Sequence, residues 1–462
     1  LKVGTGLTAS EDGDIFFTGV CTATTFAGSG ANLTALPAGN LTGALPAISG
    51  ANLTGIAATD NVRTGILDVA GVSTFRNTMN VGAAVTIPES GIEASGIGIT
   101  VANINGAQIG GRRNLIINGA MQVAQRGTSF TNISNTGVIG SVDRMVMVGA
   151  NLDELAFAGK QTSDGPDGFA NCFEFDVTTA ENALDANDLA YIRYKVEGQD
   201  LVPLFNADGT GKDFTLSFYV KAYQAGTYQL NIYKNQGPRF ISKTYTVDAS
   251  ATWQRVVIPF TGDTGTTGMN DDNGNGFQIA WILVAGTDYT SAGVLPNWGG
   301  WPGNTGFAGG QAVNVASSAN NYFRITGIQL ELGSQATAFE HRSYGEELSL
   351  CQRYYFLLAQ DDGAQQKPIF NAQAYNSSTC YGNVYFPCTM RTEPSIDATT
   401  GTNYYITYGN NTSTYSTALV LEKIGQTNTE LETTGGSFSQ GNAYFTRTAT
   451  GAGGKIAFTA EL

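Results

Sequence analysis

Between Lys212 and Gly333 the chain alternates apolar and polar residues with a period of two, in runs separated by turn residues. KDFTLSFYVKAY sets Phe214, Leu216, Phe218 and Val220 on one side of an extended chain, and GTYQLNIYKN does the same with Tyr228, Leu230 and Ile232. ATWQRVVIPF and FQIAWILVAG are equally strand-like. The second is apolar on both sides, which predicts a central position in its sheet. YFRITGIQLELG closes the set with Ile328, Leu330 and Leu332 in alternation. A two-residue period cannot form the apolar stripe of a helix, so the chain is read as all-β. Residues 112–344 are read as a β-sandwich of jelly-roll type with long loops, DTGTTGMNDDNGNG and SAGVLPNWGGWPGNTGFAGG among them.

Charge narrows the function classes. The 462 residues contain 24 Lys and Arg, 38 Asp and Glu and one His, a net charge of −14. An acidic chain without a basic cluster lacks the phosphate contacts that nucleic-acid binding needs. No run approaches the roughly 18 apolar residues of a membrane-spanning helix, and no N-terminal signal segment is visible, so membrane insertion is not expected. One histidine excludes His-rich zinc sites. The five cysteines, Cys21, Cys172, Cys351, Cys380 and Cys388, form no CxxC pair, so buried free thiols are expected, as in a protein made in a reducing cytoplasm. Cys380 and Cys388 are the one pair close enough in sequence to bridge across a strand or turn. The chain starts at Leu1 rather than Met, so an upstream portion is expected.

Residues 1–111 have a different texture. No charged residue occurs from Ile15 to Thr59, and N-L-T recurs at Asn32, Asn40 and Asn52, with L-P-A at Leu36 and Leu45. Units this short cannot build cores of their own. Three chains wound about one axis would bury Leu33, Leu36, Leu41, Leu45 and Leu53 together, so a homotrimeric β-rich stalk is expected, with a flexible linker as the alternative. At the other end, GEELSLCQRYYFLLAQ (345–360) has helical spacing at Leu350, Tyr354 and Leu357, with Glu346 and Glu347 in the first turn, and reads as a helical connector. Residues 361–462, with STCYGNVYFPCTMR, NYYITYGN and GGKIAFTAEL, read as a small distal β domain.

Three motifs carry a family resemblance. NLIINGAMQVAQRG at 114–127, GIQLELGSQATAFEHRSYGEELSLCQRYY at 327–355 and FPCTMRTEPSI at 386–396 resemble segments of tail-fibre proteins of cyanobacterial and related marine phages. The GANLT and GVSTF segments upstream are similar to the shafts of such fibres. The resemblance implies a homotrimeric virion fibre, assembled in the host cytoplasm. It would be joined to other tail or baseplate proteins at its N-terminal end, carry a carbohydrate-module-like sandwich, and adsorb to host surface polysaccharide or protein. It implies no catalytic residues.

Candidate chemistry is sparse. His341, in A-F-E-H-R, has no nucleophile or oxyanion site in its surroundings and reads as structural. Asp271, Asn273 and Asn275, followed by Gly276, match the front half of a calcium loop, but position twelve is Ile282 rather than Glu; calcium is the one cofactor considered, and a polar surface turn is the default. Asn297, Trp298 and Trp301 lie in a glycine-rich loop, where an exposed ring would stack on a sugar; the alternative is that both rings plug the sandwich. Tyr404, Tyr405, Tyr408 and Asn410, with Tyr415, form a second candidate glycan surface, about half of it expected in a strand core. Glycoside hydrolysis needs only two carboxylates, but no sustained solenoid period is present. The expectation is therefore binding without catalysis, with a polysaccharide depolymerase or a purely structural fibre component as alternatives.

Overall fold

A computed structural model describes residues 7–25, 27, 111–133, 136–181, 183–416 and 418–462. The chain divides into two units, Leu1–Glu93 and Ala94–Leu462. In the first, β1 (Leu7–Ala9) pairs antiparallel with β2 (Ile15–Phe17), and Ile15, Phe16 and Phe17 are all at least half exposed. The N-L-T repeat, its five leucines and GVSTF lie outside the described residues.

The second unit opens with twelve strands in two sheets. In chain order they are β3 (Ser129–Ile133), β4 (Thr136–Ile139), β5 (Val146–Ala150), β6 (Ala156–Thr162), β7 (Cys172–Thr179), β8 (Leu189–Glu197), β9 (Phe214–Ala222), β10 (Gly226–Lys234), β11 (Arg239–Val247), β12 (Gln254–Phe260), β13 (Asn275–Ala285) and β14 (Tyr322–Leu332). One sheet has the order β11-β10-β13-β8-β5-β4 and the other β12-β9-β14-β7-β6-β3, all pairs antiparallel. The fold is all-β, as the alternation predicts. Phe214, Leu216, Phe218 and Val220 face Tyr228, Leu230, Ile232 and Trp281 across one core, where Phe218 meets Trp281 edge-on at 5.8 Å. The two-sided strand β13 is central, and its outer residues Ala280 and Ile282 are covered by Ala308. In β14 the inward parity changes from Phe323 and Ile325 to Ile328 and Leu330. A bulge at Gly327, with φ of +61°, absorbs the extra residue.

The distal strands are β15 (Tyr355–Gln360), β16 (Pro368–Ala374), β17 (Thr379–Tyr385), β18 (Ser395–Ala398), β19 (Tyr405–Gly409), β20 (Thr412–Ser416), β21 (Ala418–Ile424), β22 (Asn428–Thr434), β23 (Ala443–Thr448) and β24 (Lys455–Thr459). They form a three-stranded sheet β15-β24-β18 and a seven-stranded sheet β20-β19-β23-β16-β17-β22-β21, which enclose a second core around Phe370, Tyr405, Leu431 and Phe458.

The helix of the connector is shorter than its sequence pattern. It spans Tyr344–Gln352, capped by the Ser343 hydroxyl, which accepts from the Glu346 amide. Residues 355–360 are strand β15, paired with β24. The run Tyr-Tyr-Phe-Leu-Leu satisfies a helical period by coincidence of length, and its aromatic residues favour the sheet edge available to them.

The resemblance motifs converge on one framework. Asn114 accepts from the amides of Ile116 and Leu330 and donates to the Ile328 carbonyl at 3.0 Å. Glu340 accepts from the Arg113 and Asn114 amides, Arg342 donates to the carbonyls of Ile116 and Asn114, and Glu347 accepts from the Asn118 amide. His341 packs against Phe339 and Phe169, at 4.8 and 5.2 Å. The join to the distal strands is also polar and buried. Glu197 accepts both Arg353 bonds at 2.8 Å and the Tyr354 hydroxyl. Arg144 reaches Glu461 at 2.6 Å while its guanidinium stacks 3.5 Å over Tyr354. All five cysteines are free; Cys172, Cys351 and Cys380 are buried, Cys388 is half-buried and Cys21 is exposed.

Candidate glycan-binding surfaces

Alternation dictates one face of the sandwich. On β10, Leu230 and Ile232 point inward, so Asn231 and Tyr233 point outward. Cross-strand register aligns Tyr233 with Phe240 on β11 and Gln278 on β13, and Asn231 with Ala280, which pairs in turn with Arg193 on β8. Two strand positions before Arg193, Tyr191 shares its face. The loop between β13 and β14 folds back over this face and is held by backbone bonds between Phe240 and Gly299. Side-chain bonds from Gln229 and Asn231 to the Phe307 carbonyl, at 2.8 and 2.7 Å, fix it further along.

The result is a groove of about 310 Å³, at the lower end of the roughly 300–1,000 Å³ usual for ligand pockets. Trp301 forms its wall: it meets Phe240, Tyr233 and Phe307 at 5.4, 5.6 and 5.8 Å and leaves 47% of its surface open. Tyr191 closes the other side, 5.4 Å from Phe307. Arg193 is the one charged lining residue, and its buried Nε has no hydrogen-bond partner among the described residues. Burial pushes the Tyr191 hydroxyl above its ordinary pKa, against the pull of adjacent Arg193. Aromatic faces beside amide and guanidinium donors are the equipment for holding a sugar ring, apolar on its C–H face and polar at its rim.

The tryptophan loop therefore divides. Trp301 lines the groove. Trp298 is 9% exposed, packs on Phe277 and Phe214 at 6.0 and 6.5 Å, and donates its indole N–H to the Thr261 carbonyl at 2.8 Å. Asn297 is exposed on the same loop and is not part of the groove lining. Tyr191, Arg193, Asn231, Tyr233, Phe240, Gln278 and Phe307 escape sequence reasoning. For Asn231 and Tyr233 the signal was the outward parity of β10, whose inward parity was plain; Tyr191, Arg193 and Phe240 stand on strands not read from the sequence, and Phe307 stands on a loop.

The distal tyrosines divide for the same reason. Tyr405 and Tyr408 are three strand positions apart and so face opposite ways. Tyr405 is fully buried and donates to the Lys455 carbonyl, and Tyr404 packs against the distal core. Tyr408 and Asn410 line an open trough of about 1170 Å³ on the outer face of the seven-stranded sheet, together with Asn371, Tyr375 and Asn383. Asn410 and Asn411 both have positive φ, 51° and 58°, in the tight turn between β19 and β20. Tyr415 is half exposed.

In the Asp271–Asn275 loop, the Asn273 side chain donates to the Arg391 carbonyl and Asp272 caps Gly274 in a local turn at 2.9 Å. The loop thus docks the FPCTMR segment.

Neither a protein-family profile nor a curated protein matches the sequence. Among solved structures, the chain is similar to the enzymatically active domain of tailspike protein 4 of bacteriophage CBA120, at 12% identity and a TM-score of 0.25, covering 47% of this chain and 21% of that one. It is also similar to the family 11 carbohydrate-binding module of Clostridium thermocellum in complex with a β-1,3-1,4-mixed-linked tetrasaccharide, at 14% identity, TM-score 0.24, and coverage of 46% and 99%. A tandem family 22 carbohydrate-binding domain from Paenibacillus barcinonensis is similar at 9% identity, TM-score 0.21, and coverage of 73% and 99%. The chain thus spans about a fifth of the tailspike domain.

Proposed function

We propose that this chain is a phage tail-fibre protein that adsorbs the virion to glycan on the host surface, and that the groove beside Trp301 holds the sugar. The observation that carries the reading is the half-open Trp301 ring, set with Tyr191, Tyr233 and Phe307 around the donors of Arg193, Asn231 and Gln278. The distal trough with Tyr408 and Asn410 supplies a second contact surface. The fibre assignment rests on the three sequence motifs, and the homotrimer on the uncharged leucine repeat. The exposed Ile15, Phe16 and Phe17 support association, because a lone chain would leave them to water. Each site would bind weakly, and several copies per virion would supply avidity.

Titration of the full chain with purified host envelope polysaccharide tests the binding reading: saturable heat that Trp301→Ala removes supports it, and no heat with any envelope polysaccharide refutes it. Shortened chains after incubation would replace it with the depolymerase reading. Failure of residues 112–462 to capture host cells would leave a purely structural fibre component.

A further inference from the structure

Apart from both surfaces, Asp153, Glu181 and Asp188 form a carboxylate cluster whose oxygens all lie within 4.8 Å of one another. Asp153 stands on the loop between β5 and β6, and Glu181 and Asp188 stand on the loop between β7 and β8. The two loops are tied by an Asn151 side-chain bond to the Asn187 carbonyl at 2.9 Å. Backbone bonds from Glu181 to Ala316 and from Gly286 to Asp188, at 2.9 and 2.8 Å, fix the second loop against the sandwich. Glu181 is 1% and Asp188 0% exposed, while Asp153 closes the cluster at the surface.

The described residues around it do not balance this charge. Among the described residues no N–H or hydroxyl donor reaches Glu181 Oε2 or Asp188 Oδ1, both buried, and the side-chain contacts of Glu181 run to the acids Asp188 and Asp153; the other Asp188 oxygen takes the Asp185 amide, at 2.6 Å. The charged groups acting most strongly on the pair are themselves acids, Asp153 and Asp185. Two adjacent carboxylates out of water need either protons or a cation. Burial also bars them from acting as a glycosidase pair, since a polysaccharide cannot reach them.

We propose that Asp153, Glu181 and Asp188 bind a calcium ion that clamps the two loops together. The donor set is all hard oxygen. Oxygens that all lie within 4.8 Å of one another can share a single ion, which calcium holds at 2.3–2.6 Å. Magnesium, which sheds its water reluctantly, suits a buried site less well. The cluster is separate from Asp271, Asn273 and Asn275, whose loop is engaged with Arg391.

The test uses the full chain, stripped with EDTA and titrated with calcium chloride by calorimetry and thermal melting. One saturable heat is expected, with a melting temperature raised by about 5 °C or more at calcium a hundredfold above its Kd. The Glu181→Gln/Asp188→Asn double variant removes the repulsion, so it melts no lower than the stripped wild type at pH 7, and calcium no longer moves it. Asp271→Ala keeps the full response. No heat and no shift at about 10 mM calcium, ten times the Kd of weak extracellular sites, would overturn the proposal. A calcium response retained by the double variant would overturn it as well.

Discussion

Trp298 and Trp301 are two residues of one loop with opposite fates, and replacing each by alanine separates packing from recognition. Trp301 leaves 47% of its surface uncovered, which for a side chain of about 250 Å² is about 115 Å². A sugar ring laid over about half of that removes about 60 Å² from water, a contribution of about 1.5 kcal/mol at about 25 cal/mol per Å². Trp301→Ala is therefore expected to weaken glycan binding about tenfold and to lower stability by only about 1–2 kcal/mol, because its contacts with Phe240 and Tyr233 are one-sided. Trp298 fills the end of the sandwich against Phe214 and Phe277, with its N–H satisfied. Trp298→Ala is expected to lower stability by about 3–5 kcal/mol and, in the fraction that remains folded, to bind glycan as the wild type does. Calorimetric titration of each variant with the polysaccharide, beside urea unfolding followed by tryptophan fluorescence, reads both quantities. Wild-type affinity in Trp301→Ala would refute the stacking argument. A loss below about 1 kcal/mol in Trp298→Ala would refute the packing argument.

Other outcomes follow from the same geometry. Arg353→Ala removes the charged partner of the fully buried Glu197 carboxylate and leaves it the Tyr354 hydroxyl and the Gln199 side-chain amide; it is expected to destabilise the chain by about 2–3 kcal/mol in urea unfolding. Burial alone would raise the Glu197 carboxyl, but the bonds from Arg353 and Tyr354 outweigh it and hold it below its ordinary value. Its stabilisation is thus present above the unfolded carboxylate pKa of about 4.3 and is lost as pH falls through the lower folded value, so a melting profile flat near neutrality should drop at the acid end, with a smaller drop in Arg353→Ala. Gly119→Ala would place a methyl 2.2 Å from the Ile328 carbonyl; the expected result is a chain that unfolds at markedly lower urea than the wild type. Tyr405→Ala should lose stability without a binding change of its own, whereas Tyr408→Ala should leave the melting temperature within a few degrees of wild type; the reverse pattern would invert the face assignment of β19. Sedimentation equilibrium of the full chain should give three times the 48.5 kDa chain mass, and a folded monomer would remove the trimer reading.

The sequence by itself determined the all-β class, the inward faces of β9 and β10 and the central place of β13, because a two-residue period leaves one way to bury alternate side chains. It marked 114–127 and 327–355 as special without saying why; only the fold brings Asn114, Glu340, Arg342 and Glu347 together across more than two hundred residues. The connector pattern misled beyond Gln352, since periodicity over so few residues cannot tell a helix turn from a strand that finds a sheet edge. For the tryptophan loop, composition named both rings as candidates and did not separate them. Which tryptophan turns inward depends on a cavity shaped by Phe214 and Phe277, which no local pattern encodes. The groove's remaining wall comes from β8, β10, β11 and β13, adjacent only through sheet order. The same holds for Asp153, Glu181 and Asp188, which carry no motif spacing, because two loops bring them together and burial alone makes their charge consequential.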